Sequence, residues 1–130
     1  MQRIYDFLKK TKTYFLATVE DDQPHVRPFG TIELIDGKLC FQTGKNKSVS
    51  RQIHADPKIE ICAFDGSTWL RVKAIAVEDP RVSSQEKMLE AYPELRALYA
   101  PGDGNTEIFK LETGAATFCS FTEAPVVVTF

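Results

Sequence analysis

The sequence predicts a mainly β fold with short helices: a small antiparallel barrel of about six strands, closed off by α-helical caps. Three observations carry this. Runs rich in β-branched and aromatic residues recur along the chain, as in Thr13–Glu20, Lys58–Phe64 and Thr68–Glu78, and turn residues bound each of them. An Asp-Gly pair at positions 36–37 joins IELI to KLCF in the pattern of a two-residue hairpin. The helical stretches between these runs are short. At 130 residues, 43% hydrophobic and 26% charged, the composition suits one globular domain spanning 1–130 around one core.

Residues 2–10 set Ile4, Phe7 and Leu8 at helical spacing, with Lys9 and Lys10 at the end where the helix dipole favours cations. Thr13–Glu20 follows as a strand, and Asp21-Asp22-Gln23-Pro24 as a turn. His25–Ile35 reads as a second strand, interrupted at Pro28-Phe29-Gly30. A missing amide beside a bare backbone predicts a bulge or a sheet edge there. The Asp36-Gly37 hairpin leads into the KLCF strand and a short helix over Ser48–Ala55, which Pro57 stops. Strands Lys58–Phe64 and Thr68–Glu78 flank the Asp65-Gly66 turn. Ser83-Ser84-Gln85-Glu86 has the form of a capping box for a helix through Met88, Leu89 and Tyr92. Pro93 can begin a further helical turn containing Leu95, Leu98 and Tyr99. After the Pro101–Asn105 loop come strands Thr106–Glu112 and Ala115–Thr122, and then VVVTF, which suits either the core or a subunit interface.

Charge and motif content narrow the function. The net charge is −2, so the basic cluster near Lys45 is local, and it fits a small anion better than nucleic acid or a membrane surface. Cys40, Cys62 and Cys119 lie far apart in apolar runs without CxxC spacing. They are expected to be buried, reduced thiols, with no disulfide and no metal. His25 and His54 stand too isolated for a metal site. No signal-like segment precedes the first helix and no apolar run is long enough to cross a bilayer, so a cytoplasmic protein is expected. There is no GxSxG, HExxH, Walker or Rossmann signature, and catalysis by the protein's own side chains has little support.

The most informative stretch is the loop Thr43-Gly44-Lys45-Asn46-Lys47-Ser48, which puts cations and hydroxyls at a helix start. Free amides and the dipole at such a start suit a phosphate. Lys45, Lys47, Ser48 and Arg51 are the candidates; a solvated basic turn is the plainer reading. Arg27 alternates with Phe29 and Thr31 on its strand, and either reaches a ligand's polar edge or lies on the surface. Trp69 can stack on a planar ring or serve in the core or an interface. A barrel with a phosphate loop and no catalytic set suits a protein whose cofactor does the chemistry.

Taken in order, TYFLATV, HVRPFG, DGKLCFQTGKNKSVSRQI, DPKIEICAF and TWLRVKAIAVE resemble the short single-domain branch of the pyridoxamine 5′-phosphate oxidase-like FMN-binding split-barrel family. The resemblance spans nearly the whole chain and is strongest over 13–78. It implies a six-stranded split barrel that dimerises, with FMN in clefts between the two subunits. Arg27 and the backbone of Pro28, Phe29 and Gly30 would lie along the isoalloxazine edge. Gln42 and Thr43 would approach the ribityl chain or phosphate, Lys47 and Ser48 would bind the phosphate, and Trp69 would approach the flavin or the dimer interface. The chain ends at VVVTF without the C-terminal substrate-binding region of authentic pyridoxamine phosphate oxidases, so that reaction is not expected. The implied activity is an FMN-dependent oxidoreductase passing electrons from a small-molecule donor to a nitroaromatic, quinone or flavin acceptor. A flavin-binding sensor or stress protein is the alternative, or a relative binding haem or deazaflavin.

Overall fold

The structure, a computed structural model, describes residues 1–130 and is built on one antiparallel sheet of eight strands. Helix α1 (Gln2–Thr11) is followed by β1 (Tyr14–Glu20), β2 (Gln23–Phe29), β3 (Glu33–Ile35) and β4 (Lys38–Gly44). Then come α2 (Ser48–Ala55), β5 (Lys58–Phe64), β6 (Thr68–Asp79), α3 (Val82–Ala91) and a 3₁₀ turn (Pro93–Ala97). Strands β7 (Thr106–Ser120) and β8 (Val126–Thr129) complete it. The order across the sheet is β2-β1-β5-β6-β7-β4-β3, with β8 pairing to β7.

Eight strands are present where about six were expected, the terminal VVVTF run among them as β8, and the strand boundaries differ in two places. The expected strand His25–Ile35 is two strands, β2 and β3, which lie at opposite edges of the sheet. Residues 30–32 carry the chain across between those edges, where the Tyr14 hydroxyl donates to the Thr31 carbonyl at 2.6 Å. The edges approach but do not pair, so the sheet curls without closing. Pro28 sits in register opposite Phe15, and its missing amide is tolerated because β2 is an edge; an edge, not a bulge, is the outcome. The two strands expected over 106–122 are one long β7, and a bulge lies in its pairing with β6 at Ile75/Ala76. The Asp36-Gly37 turn has both residues at positive φ (51° and 76°), as a type I′ hairpin requires, and Asp21-Asp22 does the same between β1 and β2.

The main core gathers Ile4 and Leu8 of α1 with Leu16, Leu39, Phe41, Ile61, Leu70, Val72 and Phe109 from the sheet. An aromatic ladder, Tyr14–Phe29–Phe41–Phe109, runs through it with centroid spacings of 6.1, 5.4 and 5.6 Å. Ser83 and Ser84 do not form a capping box. Instead the Asp79 carboxylate accepts from the Ser84 hydroxyl at 2.6 Å and from the Arg81 amide and guanidinium, which holds its pKa well below the usual range. Only Cys40 is a buried thiol, and burial pushes its pKa up to about 12; Cys62 is exposed and Cys119 half-buried. Val126 and Val127 are exposed, at 46% and 60%, so the terminal run does not fill the core. No helix is long and apolar enough to cross a membrane.

Candidate functional site

One cleft, of about 440 Å³, collects most of the residues picked out in the sequence. The end of β2 contributes Arg27, Pro28 and Phe29, and the crossing segment adds Gly30 and Thr31. The end of β4 adds Gln42 and Thr43, the start of α2 adds Lys47, Ser48 and Val49, and Leu95 and Tyr99 complete the wall. Of the residues that the resemblance implied, all except Trp69 are therefore present. Trp69 lines a separate cleft with Phe7, Phe118 and Cys119, and its ring packs on Phe121 at 5.0 Å between centroids.

The phosphate-loop reading becomes more selective here. Lys45 pairs with Glu78 at 3.4 Å, and Arg51 makes two hydrogen bonds to the Glu20 carboxylate at 2.8 and 3.2 Å. Neither lines the cleft. Lys47 does line it, is exposed, and has no acidic partner. It is the N-cap residue of α2; the Ser50 amide donates to its carbonyl at 3.2 Å, while the Ser48 and Val49 amides have no protein acceptor. A cation and two unpartnered amides thus converge at one helix start, the arrangement that favours an anion.

A neighbouring loop holds that start in place. The Lys45 amide donates to the Asn105 carbonyl at 2.8 Å, and the Asn46 amide to the Asn105 side chain at 3.1 Å. Gly44 is enclosed, since a Cβ there would come within 3.1 Å of the Tyr99 hydroxyl and 2.9 Å of Asn46 Oδ1. Asp103 fixes the Asn105 loop by accepting from the Thr106, Asn105 and Ala100 amides at 2.6, 2.9 and 3.0 Å. Those bonds, Thr106's foremost, lower its carboxyl pKa from 3.8 to about 2. A depressed folded pKa means that this stabilisation is intact above the unfolded value and is lost as pH falls through the folded one. Thermal melts taken between about pH 4 and pH 2 are expected to show the wild type losing stability more steeply than Asp103→Asn. Parallel curves would remove Asp103 from this role.

Arg27 carries the second unpaired charge. Its guanidinium donates to Thr18 Oγ1 at 2.8 Å and Gln52 Oε1 at 2.6 Å, tying β1, β2 and α2 together, and burial lowers its pKa. It lines the cleft with no carboxylate to neutralise it. Gln42 is the most telling residue. It is 5% exposed, its backbone amide donates to Thr31 Oγ1 at 2.9 Å, yet neither Oε1 nor Nε2 has a partner. A buried amide with both polar atoms unmatched costs stability unless a ligand or solvent meets it. Sequence reasoning missed Thr31, Val49, Leu95 and Tyr99. Leu95 and Tyr99 lie some fifty residues downstream of the loop, and no local pattern links the two stretches.

The pattern described as Pyridoxamine 5′-phosphate oxidase matches residues 1–120. Among solved structures, a NimC/NimA family protein from Clostridium acetobutylicum superimposes with a TM-score of 0.96 at 34% identity, over 100% of this chain and 92% of that one. General Stress Protein 26 from Bacillus anthracis str. Sterne gives 0.81 at 17% identity, over 99% and 97% of the two chains. A heme binding protein from Mycobacterium smegmatis gives 0.69 at 13% identity, over 94% of this chain and 57% of that one. The latter two likenesses speak to the fold alone. No match was found among curated proteins. With the motif order, the curled sheet and a match over 1–120 in agreement, this chain belongs to the pyridoxamine 5′-phosphate oxidase family.

Proposed function

We propose that this protein is a single-domain FMN-binding homodimer that passes electrons from the reduced cofactor to a small acceptor of nitroaromatic, quinone or flavin type. The observation that carries it is the buried Gln42 amide, unmatched at both polar atoms, beside the unpaired Lys47 and the open amides of Ser48 and Val49. These residues fit an organic phosphate with a polar chain: Lys47 and Ser48 would hold the phosphate, and Gln42 and Thr43 the hydroxylated chain. Arg27 and the Pro28–Gly30 backbone would lie along the ring system. Bound FMN supplies hydride and single-electron transfer, which no side chain of this protein can provide. The protein's part is to bind, orient and bias: an uncompensated guanidinium favours negative charge in the cleft.

The outer face of β2, β1 and β5 supports the dimer. The register sets Phe15 opposite Pro28 and Cys62, Ala17 opposite Val26, and Val19 opposite Pro24, with Phe64 beyond. Phe15, Val26 and Phe64 are 49%, 67% and 56% exposed, a contiguous apolar patch of the kind two subunits bury. Trp69, apart from the cleft within one chain, would contribute from the interface.

The test is the visible spectrum of the purified protein, followed by chromatography of the heat-released ligand. A flavin spectrum with FMN released is expected. A colourless protein that does not bind added FMN would overturn the proposal. Reduction by NAD(P)H and rapid reoxidation by an acceptor would separate an oxidoreductase from a flavin carrier. Haem has less support, since neither His25 nor His54 lines the cleft.

A further inference from the structure

His54, isolated in the sequence, is not isolated in the fold. It occupies the last turn of α2, where its ring tilts against Phe109 at 5.5 Å between centroids. Glu78 on β6 is paired with Phe109 on β7. Glu107, two residues before Phe109, therefore projects from the same face of the sheet as Phe109 and is a diagonal neighbour of Glu78. His54 Nε2 lies 2.8 Å from Glu107 Oε2 and 3.6 Å from Glu78 Oε1, and all three ligand atoms fall within 4.8 Å of one another.

A second feature separates this cluster from an ordinary surface ion pair. Glu107 is 1% exposed, and its other oxygen, Oε1, has no partner at all. One histidine N–H meets only one oxygen of a fully desolvated carboxylate, and the remaining oxygen bears an unrelieved burial cost. A cation bound by both oxygens would relieve it. We propose that His54, Glu78 and Glu107 form a site for a divalent transition-metal cation of the zinc class, distinct from the cleft.

The chemistry suits that class. Imidazole with carboxylate selects zinc-like ions over magnesium or calcium, which take all-oxygen shells. Tetrahedral ligands at zinc distances stand about 3.4 Å apart. The separations of 2.8, 3.6 and up to 4.8 Å bracket that spacing, so small side-chain rotations suffice. His54 and Glu78 are half and one-quarter exposed, which gives the ion a route in. Two carboxylates balance a dication. Lys45, the other cation facing the cluster, contacts Glu78 Oε2 at 3.4 Å and leaves Oε1 to the metal. A bound ion would staple the end of α2 to β6 and β7, and so steady the helix whose start borders the cleft.

The test uses the full chain, stripped with chelator and titrated calorimetrically with Zn²⁺, with thermal melts in parallel. Saturable binding of one Zn²⁺ per chain and a Zn²⁺-dependent rise in melting temperature are expected. His54→Gln, at a half-exposed position, should weaken binding by at least about tenfold and abolish the rise, since even supporting groups around a metal are worth that much. Lys45→Met should tighten binding several-fold, a gain that misfolding would not produce. Cys62→Ser, which removes the exposed thiol, should leave binding unchanged. No saturable binding by the wild type, or wild-type affinity in His54→Gln, would overturn the site and leave a His54–Glu107 hydrogen bond only.

Discussion

Lys47→Ala is expected to lower FMN affinity by about 10- to 100-fold, the equivalent of one charge-assisted hydrogen bond. Lys47 is the only lysine or arginine at the start of α2 that both lines the cleft and lacks an acidic partner. Lys45 and Arg51 flank it in sequence, but Glu78 and Glu20 already neutralise them, so Lys45→Ala and Arg51→Ala should each change affinity by no more than about twofold. The three variants give a pattern that general loss of positive charge would not, because that would weaken binding equally in all three. Lys47 is exposed and makes no side-chain hydrogen bond, so the apo protein should melt as the wild type does. Titration of apo protein with FMN, followed by quenching of flavin fluorescence, reads the affinity. Unchanged affinity in Lys47→Ala would remove that residue from the phosphate site while leaving the cofactor assignment to the spectrum.

That prediction also marks where the sequence was legible and where it was not. Local chemistry survived well. Asp36-Gly37 needed both residues at positive φ and has them, and Pro57 stopped α2 close to where its ring forbids continuation. Pro28-Phe29-Gly30 marked a bulge or an edge, and the fold made it an edge, but the sequence could not say that the next strand, β3, joins the sheet at its far side, because that is decided by long-range pairing of β4 with β7. The same limit governs charge. Nothing near Lys45 announces Glu78, which lies on another strand, so four basic or hydroxyl candidates looked alike until the fold paired two of them off. Ser84 was misread for a related reason: its hydroxyl serves Asp79, five residues upstream, instead of the helix start a local motif would assign it. His54 shows the converse. Two acids reach it only because adjacent strands place them on the face that α2 covers.

The largest effect on stability is expected at a position with no role in the cleft. Gly114→Val should destabilise the protein by about 3 kcal/mol, lowering its melting temperature by roughly 10 °C. Valine favours strands, so intrinsic propensity predicts the opposite sign. The reason lies in where β6, β7 and β8 meet. Gly114 is paired with Ala74 beside the bulge at Ile75/Ala76, and it exchanges two backbone hydrogen bonds with Phe130, at 3.1 and 3.0 Å. A Cβ there would overlap the Lys73 carbonyl and come within 3.0 Å of Ala74 Cα and 2.9 Å of the Phe130 ring. Two of those neighbours are backbone, held by the ladder, and cannot rotate away as a side chain would. Relief requires β6 and β7 to part, and these strands form the centre of the sheet. Gly30→Ala is the contrast. Its Cβ would meet nothing nearer than the Lys12 carbonyl at 4.0 Å, and its φ lies outside the left-handed region, so stability should hold or rise by up to about 1 kcal/mol. Chemical denaturation of both variants decides the matter. Equal stabilities would show that β7 moves freely past β6, and the tight seam between them would lose its place as the fixed frame on which the cleft is built.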